Sequence, residues 1–339
     1  MKKLIWIIVL IIAIAGAYSA WNVFGPSVHS PEGKYLYIRT GSTFSDVQAS
    51  LKKDHILNNL FFFNFISKRA GYTNVKPGRY EIKPGMSTLG LVRMLKSGNQ
   101  SYVKLVINKL RTRQDLAGKI GRLFECDSLE VMRLLNNNDS LERFGKDTNT
   151  AMTAVIPNTY SLSWNGSFSR IYKRLNSEAD KFWNEDRVRK ASAAGLSKDQ
   201  VYIMASIVEE ETNLPADKSL IASVYKNRIR KGVKLEADPT VKFAMQDFGL
   251  KRILRGHLQY PSPYNTYRQT GLPPGPICTP SPATIDSVLN APETDYMFFV
   301  AKPDFRGGSN FAATYPEHQV FAHMYQKALD SLILSKQNR

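Results

Sequence analysis

The strongest hydrophobic pattern in the sequence lies at its N-terminus. Lys2 and Lys3 precede an uncharged, apolar run from Leu4 to Trp21. A helix of about 20 apolar residues crosses the hydrocarbon core of a bilayer, and each Leu, Ile or Val near its centre favours insertion by roughly 0.3–0.6 kcal/mol. The pattern therefore predicts a transmembrane helix over residues 1–22.

The same segment has a second interpretation as a cleaved signal peptide. Ala15-Gly16-Ala17 fits the small-x-small cleavage site of such peptides. Apolar residues continue beyond this site, which favours an uncleaved anchor, and no cysteine lies nearby for lipid attachment. Because the lysines precede the span, that end should stay in the cytoplasm. We expect a single-pass protein of the cell inner (cytoplasmic) membrane, with the following chain on the periplasmic, extracytoplasmic side.

A small module is predicted directly after the anchor. Residues 23–34 contain two Gly and two Pro and are predicted to be a linker, and residues 35–100 follow the order strand, helix, helix, strand. Thr43 is the expected N-cap of the first helix, and Gly71 closes the second. This βααβ order is similar to that of LysM modules, which in other proteins bind the N-acetylglucosamine of peptidoglycan or chitin. Four phenylalanines within residues 61–65 favour core or interdomain packing over a sugar platform.

Residues 101–339 are predicted to form a larger α+β domain. Short strand-like segments are mixed with helical ones, which argues against a parallel βαβ array. Residues 234–282 are rich in Pro, Gly, Asn and Tyr and predict irregular structure. The predicted elements are strands over Tyr102–Ile107 and Tyr296–Ala301, and helices over Gln114–Phe124, Ser128–Asn136, Ser167–Lys190, Ser197–Leu214, Pro282–Leu289 and from Pro316 onward.

The partners that a net charge of +17 suggests depend on whether the chain lies inside or outside the cytoplasm. A basic soluble protein suggests nucleic acid as a partner, whereas an exported one faces anionic lipids and an anionic cell wall. We therefore expect a membrane and a wall polymer as partners, and no nucleic acid. Two cysteines, Cys126 and Cys278, are too few for a disulfide framework, and whether they pair is left open. No Cys and His set has zinc spacing, so no metal and no cofactor are expected.

Three consecutive carboxyl groups end an apolar helix in the segment Val201–Thr212. At about 100° per residue, the apolar side chains of this helix share one face, and Glu211 projects within roughly 10° of its centre. Glu210 lies about 90° from that centre, and Glu209 lies nearly opposite. The geometry predicts that only Glu211 points into the protein interior.

A carboxyl group that faces an apolar wall has a raised pKa, because desolvation disfavours its charged form. A Glu with a pKa near 6 can remain protonated near neutral pH and donate its proton, as the general acids of glycosidases do. The alternative is a buried Glu with a structural role, satisfied by an Arg or by a helix end. The geometry alone does not choose between these two interpretations.

Several motifs in order along the chain resemble the endolytic murein transglycosylases (the MltG or YceG-like family), and the resemblance extends over nearly the whole chain. Upstream, Ile156-Pro-Asn-Thr-Tyr160 is similar to that family's Phe-Pro-Asp-Thr-Tyr segment, with Asn158 in place of Asp. The other matching segments are Ala205-Ser-Ile-Val-Glu-Glu-Glu-Thr212, Ile221-Ala-Ser-Val-Tyr-Lys-Asn-Arg228, Asp238-Pro-Thr-Val241, Pro263-Tyr-Asn-Thr-Tyr267, Gly271-Leu-Pro-Pro-Gly-Pro-Ile277 and Pro280.

The resemblance implies a lyase whose catalytic acid is the Glu before the Thr, here Glu211. In that reaction, the acid protonates the oxygen of the β-1,4 bond between N-acetylmuramic acid and N-acetylglucosamine. The muramic C6 hydroxyl attacks its own C1, and a 1,6-anhydromuramic end results. One protein carboxyl group suffices, so no second acidic partner is required. The family further implies action on nascent peptidoglycan strands beside peptidoglycan synthases.

Five further residues are candidates for substrate binding. Asn265 can hydrogen-bond an acetamido group, and Tyr264 and Tyr267 can stack on a pyranose ring, although all three can instead pack their own loop. Asp238 can orient the loop or cap a helix, and Tyr160 is a candidate groove residue.

Two departures from the family pattern limit what the resemblance transfers. A usual Pro-Glu-Gly appears here as Asn108-Lys109-Leu110, and a usual Gly-Gly-His-Thr-Phe appears as Gly307-Gly308-Ser309-Asn310-Phe311. A role for a family His at that place therefore does not carry over.

Two other functions stay open from sequence. A muramidase, which is a hydrolase, would use the same Glu with water as nucleophile. A non-catalytic peptidoglycan-binding scaffold would use the LysM-like module and the basic charge. Two Ser-x-x-Lys matches lack the companion motifs of acyl enzymes, which argues against that class.

Overall fold

A computed structural model describes residues 2–337 of the chain. Met1 and residues 338 and 339, which the predicted domain ranges include, lie outside the described part. The described chain forms two compact units. The first unit contains the chain up to Leu105 with Ile120–Asp127 and Ser161–Ser167, and the second contains Val106–Lys119, Ser128–Tyr160 and the chain from Phe168 onward.

The described residues form fourteen α-helices and six β-strands. The helices are α1 (Lys2–Phe24), α2 (Phe44–Lys53), α3 (Phe61–Ala70), α4 (Thr88–Ser97), α5 (Arg113–Leu123), α6 (Ser128–Leu135), α7 (Asn138–Glu142), α8 (Phe168–Phe182), α9 (Glu185–Ala193), α10 (Lys198–Glu211), α11 (Pro215–Arg230), α12 (Asp238–Met245), α13 (Pro282–Leu289) and α14 (Tyr315–Gln337). The strands are β1 (Tyr35–Ile38), β2 (Gly78–Glu81), β3 (Val103–Ile107), β4 (Asn158–Leu162), β5 (Phe298–Ala301) and β6 (Ser309–Ala312).

The strands pair into three two-stranded sheets, β1 with β2, β3 with β4 and β5 with β6. The β1–β2 and β5–β6 pairs are antiparallel, with Tyr35 opposite Glu81 in the first and Phe298 opposite Ala312 in the second. Mixed helices and small antiparallel sheets make the fold α+β, as the sequence predicts.

Local signals set the elements of the first unit. Thr43 and Asp46 form a capping box at the start of α2, and Gly71 ends α3 at a left-handed φ of 65°. The predicted βααβ order of β1, α2, α3 and β2 is therefore confirmed, while its likeness to LysM modules stays a prediction. The core of the module is built by Leu36, Leu51, Phe63, Tyr80 and Leu91, each with no exposed surface.

Helix α1 is long and apolar enough to span a membrane, and it ends two residues beyond the predicted anchor. The segment after it, predicted as a linker, is hydrogen-bonded to the module. Val28 N donates to Met86 O at 3.1 Å and His29 N donates to Ile56 O at 2.9 Å. The Val28 side chain is buried in the module core.

Helix α10 is the centre of the second unit. Eight consecutive residues, from Val201 to Val208, are buried, and α11, α12 and α13 pack against the helix. A helix that is buried around its whole circumference has no solvent face. The carboxyl groups at its C-terminal end therefore all emerge among packed elements.

Two helix predictions are wrong in their bounds. The long helix over residues 167–190 is two helices, because Asn184 caps α9 by accepting a hydrogen bond from Arg187 N at 3.0 Å. Helix α10 ends at Glu211 rather than at residue 214, because Thr212 is extended (φ −146°, ψ 146°) and Pro215 begins α11. Both breaks use a capping residue or Pro within a continuous helical pattern.

Both cysteines are buried, and no disulfide occurs within the described residues. The Cys278 thiol donates to Ser206 O on α10 at 3.4 Å. Burial raises the pKa of this thiol well above its ordinary value, so Cys278 is a packing residue of the core.

A close approach of backbone to backbone fixes one glycine of the second unit. A Cβ atom added to Gly275 would lie 2.3 Å from Asn149 O and 2.8 Å from the Tyr264 hydroxyl. We predict that Gly275→Ala lowers the free energy of unfolding by about 1–3 kcal/mol, because the backbone must shift to admit the methyl group. Chemical denaturation of the full chain in detergent would measure the change. Gly256→Ala is the matched control, because no atom lies within 4 Å of its added Cβ, and equal losses in both variants would contradict the prediction.

Candidate active site

Glu211 lies at a pocket of about 330 Å³ in the second unit. The pocket is assembled from the end of α10, from α11, α12 and α14, from strand β5 and from the loop around residue 267. The lining side chains that matter for its chemistry are Glu211, Arg228, Asp238, Tyr267, Phe298 and His318.

Glu209 has partners that neutralise its charge. Its Oε2 accepts a hydrogen bond from Lys218 Nζ at 2.8 Å and one from the Ser281 hydroxyl at 3.1 Å, and the Thr284 hydroxyl also donates to it. Burial would raise the pKa of Glu209, but the hydrogen bonds from Lys218 and Thr284 outweigh it and lower the pKa below its ordinary value. Glu209 therefore holds α10 to α11 and α13 as a carboxylate.

Glu210 is also paired, on another side of the helix. Lys109 Nζ and Arg111 Nη2 each lie 3.0 Å from its carboxyl oxygens. Burial acts to raise the pKa of Glu210, and the hydrogen bonds from Arg111 and Lys109 lower it more strongly. The side chains of Glu209 and Glu210 are only 16% and 15% exposed. The prediction that only Glu211 points inward is therefore wrong, because α10 is enclosed by protein on every side.

Glu211 differs from its two neighbours in its partner. Its Oε1 accepts a hydrogen bond from the Tyr225 hydroxyl of α11 at 2.6 Å, and no ion pair to it occurs within the described residues. The carboxyl group is crowded by protein atoms, while the side chain stays partly exposed because the pocket opens over it. A neutral donor stabilises a carboxylate less than a cation does.

The pKa of Glu211 is raised to about 7. Desolvation by burial is the main cause, and the negative charge of Asp238 raises the pKa further, while the Tyr225 hydrogen bond and the charge of Lys242 lower it. The residue is also the last of α10, where the negative end of the helix dipole disfavours a carboxylate. At neutral pH the group is populated in both forms, so it can donate a proton and accept one.

Two of the predicted substrate-binding residues lie in the same pocket as Glu211. Asp238 and Tyr267 both line it, and the Tyr267 hydroxyl donates to Asp238 Oδ1 at 2.7 Å. Burial raises the pKa of Tyr267 well above its ordinary value, and the hydrogen bond to Asp238 adds to this. The pocket thus contains two carboxyl groups besides Glu211, which are Asp238 and the Glu236 that pairs with Arg228. Spacing along the sequence does not reveal this arrangement.

The structure places Asn265 inside its own loop. The side chain is fully buried, its Nδ2 donates to Leu258 O at 3.0 Å and Tyr260 O at 2.9 Å, and its Oδ1 accepts from Tyr267 N at 3.0 Å. All of its strong hydrogen-bonding groups are used within the loop. This arrangement favours the alternative of loop packing, through which Asn265 positions Tyr267.

Tyr264 and Tyr160 are not among the residues that line the Glu211 pocket. Tyr264 packs against Phe243, with ring centroids 4.7 Å apart. Tyr160 is buried, and its hydroxyl donates to Ile156 O. Burial raises the pKa of Tyr160 to about 12, so the ring is a neutral core group.

Sequence reasoning assigned no role to Tyr225, which contacts Glu211, or to Arg228 and His318, which line the pocket. Tyr225 and Arg228 are three positions apart in the motif that ends at Arg228, so they lie on one face of α11. The buried Arg228 guanidinium donates to Met297 O at 2.7 Å and to Lys234 O at 2.9 Å, and it pairs with Glu236 at 3.0 Å. It thereby holds strand β5 and the segment before α12 in place.

His318 reaches the pocket from α14, far along the chain. Its ring stacks on Phe298 of β5, with centroids 5.2 Å apart and planes at 24°. Burial lowers the pKa of His318, and the charge of Arg228 lowers it further. The Nδ1 atom is buried and has no hydrogen-bond partner among the described residues. No signal in the sequence pointed to this residue, although Tyr315, one turn earlier on α14, also lines the pocket.

The chain resembles known proteins over most of its length. The sequence profile of the YceG-like family matches residues 36–323. A Bacillus subtilis protein named endolytic murein transglycosylase is 27% identical over 352 aligned residues, which cover 96% of this chain and 92% of that protein. A Streptococcus pneumoniae protein of the same name is 24% identical over 332 residues, which cover 87% of this chain and 60% of that protein.

A solved structure is similar as well. The crystal structure of a Listeria monocytogenes protein described as YceG-like superposes with a TM-score of 0.56 and is 26% identical. The match covers 85% of this chain and 98% of that chain.

The hydrogen bond from Tyr225 predicts a change in the acidity of Glu211. Tyr225→Phe removes the donor that favours the charged carboxylate, so the pKa of Glu211 should rise above 7. Carboxyl-labelled NMR titration of the full chain would measure it. Tyr172→Phe is the matched control, because its hydroxyl donates to Ala151 O at 2.8 Å, away from Glu211. An unchanged or lowered pKa in Tyr225→Phe would contradict the assignment.

The raised pKa also predicts how stability depends on pH. Above the unfolded value near 4.5 and up to about 7, the folded chain binds the Glu211 proton more tightly than the unfolded chain does, so the free energy of unfolding falls as pH rises through this window. Glu211→Gln lacks this loss, and we expect it to be more stable than wild type by about 2–3 kcal/mol at pH 8 but not at pH 4. Urea denaturation at both values would test this, and a pH-independent difference would contradict it.

Proposed function

Because this chain belongs to the YceG-like family, we propose that it is a membrane-anchored lytic transglycosylase that cleaves peptidoglycan glycan strands. The observation that carries the proposal is Glu211, a carboxyl group with a pKa of about 7 that lines an open pocket. Such a group can act as acid and base in one reaction. The names of the bacterial relatives support the substrate class.

The proposed reaction uses the two protonation states of Glu211 in turn. The protonated carboxyl donates its proton to the glycosidic oxygen of the β-1,4 bond between N-acetylmuramic acid and N-acetylglucosamine, and the bond from that oxygen to muramic C1 breaks. The muramic C6 hydroxyl oxygen forms a new bond to C1 and gives its proton to the Glu211 carboxylate. No water is consumed, and the product carries a 1,6-anhydromuramic end.

The pocket supports roles for the residues around the acid. Tyr225 positions the Glu211 carboxyl group through the 2.6 Å hydrogen bond. Phe298 and the neutral His318 stack on each other and line the pocket, and this aromatic pair offers apolar surface against which a pyranose ring can pack. Tyr267 and Asp238, which also line the pocket, would contact the sugar. Asn265 would act indirectly, by holding Tyr267 in position.

Anchoring is the second part of the proposal. Helix α1 has the length and composition of a transmembrane span, and Lys2 and Lys3 precede it, which favours a cytoplasmic N-terminus. The rest of the chain would then act on the extracytoplasmic side of the inner membrane. This location suits nascent glycan strands as substrate and peptidoglycan synthases as neighbours.

One observation favours a hydrolase as the second candidate function. Asp238 brings a further carboxyl group into the pocket of Glu211, whereas the other one there, Glu236, is paired with Arg228. Most glycosidases that use water carry two carboxyl groups at the bond they cleave. In a muramidase, Glu211 would keep its role as acid, while Asp238 would activate water or act as nucleophile. The product would carry a reducing end in place of the anhydro end.

Product analysis tests these functions. Full-length protein in detergent would be incubated with purified peptidoglycan in heavy-oxygen water, and the products would be identified by mass spectrometry. We expect 1,6-anhydromuramic ends without solvent oxygen from the wild type, and a rate lowered by about 10²–10⁴-fold in Glu211→Gln, because the proton donor is lost. Glu210→Gln is the matched control and should keep activity, since its partners Lys109 and Arg111 are 38% exposed and can be solvated.

The other outcomes separate the alternatives. Reducing ends that contain heavy oxygen, lost in both Glu211→Gln and Asp238→Asn, would establish the muramidase. Equal rates in wild type and Glu211→Gln would remove Glu211 from catalysis. Binding to peptidoglycan without any product would point to a scaffold.

A further inference from the structure

The first unit carries an exposed aromatic surface on α3. Phe61 is 65% exposed and Phe65 is 54% exposed, whereas Phe63 of the same helix has no exposed surface. The prediction that the phenylalanines pack inside the protein is therefore confirmed for Phe63 and wrong for Phe61 and Phe65. Phe61 packs edge-to-face on Phe62, with centroids 5.2 Å apart. Phe65 follows Phe61 by four positions, which places both exposed rings on the same side of α3.

This patch lies beside the C-terminal part of α1. The rings of Phe62 and Tyr18 meet edge-to-face, with centroids 6.0 Å apart. Trp21 and Phe24, the last aromatic residues of α1, are 63% and 69% exposed. Tyr18 and Phe62 thus join the aromatic groups of α1 and α3, and Trp21 and Phe24 stay exposed near the end of α1.

The length of α1 sets the depth of this patch. A span of about 20 residues that begins at Leu4 ends at Val23, since a helix rises about 1.5 Å per residue and the hydrocarbon core is about 30 Å thick. Tyr18 then lies roughly 8 Å below the upper edge of the core. The ring of Phe62 lies against Tyr18, so α3 meets the membrane at the depth of about 5–10 Å at which interfacial helices bind.

The connection between α1 and the module fixes this arrangement. Ser27 bridges the two, because its hydroxyl lies 2.9 Å from the Thr88 hydroxyl and donates to Asn22 O at 2.8 Å. Val23 of α1 packs on the module core. The module is therefore bonded directly to the end of the span, and its α3 face is held at a defined depth.

The charges on α3 fit an anionic lipid surface. Lys68 and Arg69 occupy its last turn, both are exposed, and the Arg69 guanidinium lies 5.8 Å from the ring centre of Phe65. The first turn of α3 has no acidic residue. Aromatic side chains on one face with basic groups beside them are typical of helices that lie in the membrane interface.

We propose that the module docks on the extracytoplasmic surface of the membrane in which α1 is anchored, with Phe61, Phe62 and Phe65 in the interface and Lys68 and Arg69 at the lipid phosphates. This inference rests on the proposed anchoring by α1. It gives the charge and the aromatic cluster of the first unit a common role, which is to hold the module flat on the bilayer next to its own anchor.

Depth-dependent quenching tests the docking separately from the anchoring. Full-length protein would be reconstituted in vesicles of phosphatidylcholine and phosphatidylglycerol, with an environment-sensitive fluorophore on a single introduced cysteine. The positions are Phe65→Cys on the patch, Ile11→Cys within the span, and Tyr37→Cys on the outer face of β1. Tyr37 is the matched control, because it is 46% exposed, lies on the face of β1 opposite the core residues Leu36 and Ile38, and contacts Trp164 through its ring. Wild-type protein treated with the same fluorophore is the control for labelling of the buried native cysteines, Cys126 and Cys278.

We expect the label at position 11 to be quenched by lipids with a deep nitroxide. The label at position 65 should be quenched by lipids with a shallow nitroxide at least about twofold more than the label at position 37, given an interfacial depth. Added Lys68→Glu and Arg69→Glu changes should reduce the quenching at position 65.

Quenching at position 65 no greater than at position 37, with position 11 quenched, would overturn the docking and leave the anchor in place. An unquenched position 11 would overturn the anchor and the docking with it.

Discussion

Burial of three consecutive carboxyl groups at the end of one core helix is the constraint on which the second unit is built. A carboxylate taken out of water without a partner is costly, so each Glu at the end of α10 requires its own solution. Glu209 and Glu210 receive cations from Lys218 and from Lys109 and Arg111. Among the described residues, Glu211 receives a hydrogen bond from the Tyr225 hydroxyl and no cation. The first two solutions yield structural carboxylates, and the third yields a group that titrates near neutral pH.

Helix α11 supplies partners to two of these three groups. It supplies the cation for Glu209 near its start, the neutral donor for Glu211 in its middle and Arg228 near its end. Arg228 in turn fixes β5 and the segment before α12, from which Phe298 and Asp238 line the pocket. The residues of the α11 motif therefore hold both the acid and the segments that line its pocket.

Local signals predicted much of this fold, and tertiary contacts decided the rest. The caps at Thr43 and Gly71 and the position of Glu211 follow from residue type and helical period. The break at Asn184 was hidden because α8 and α9 share one continuous helical pattern. The chemistry of Asn265 fits a sugar as well as packing of its own loop, and in the structure the loop uses all of its hydrogen bonds. His318 lies 107 positions after Glu211 in the chain, so only folding could bring it to the pocket.

The pKa of Glu211 suits a single carboxyl group that must first donate a proton and then accept one. A pKa at the ordinary value near 4.5 would leave too little of the protonated form at neutral pH to donate, and a much higher pKa would leave too little carboxylate to accept. Burial and the charge of Asp238 raise the pKa, while Tyr225 and Lys242 lower it. The hydroxyl of Tyr225 is suited to this task because a cation in its place would lower the pKa further, as the paired Glu209 and Glu210 illustrate. A neutral donor thus keeps both protonation states of Glu211 accessible.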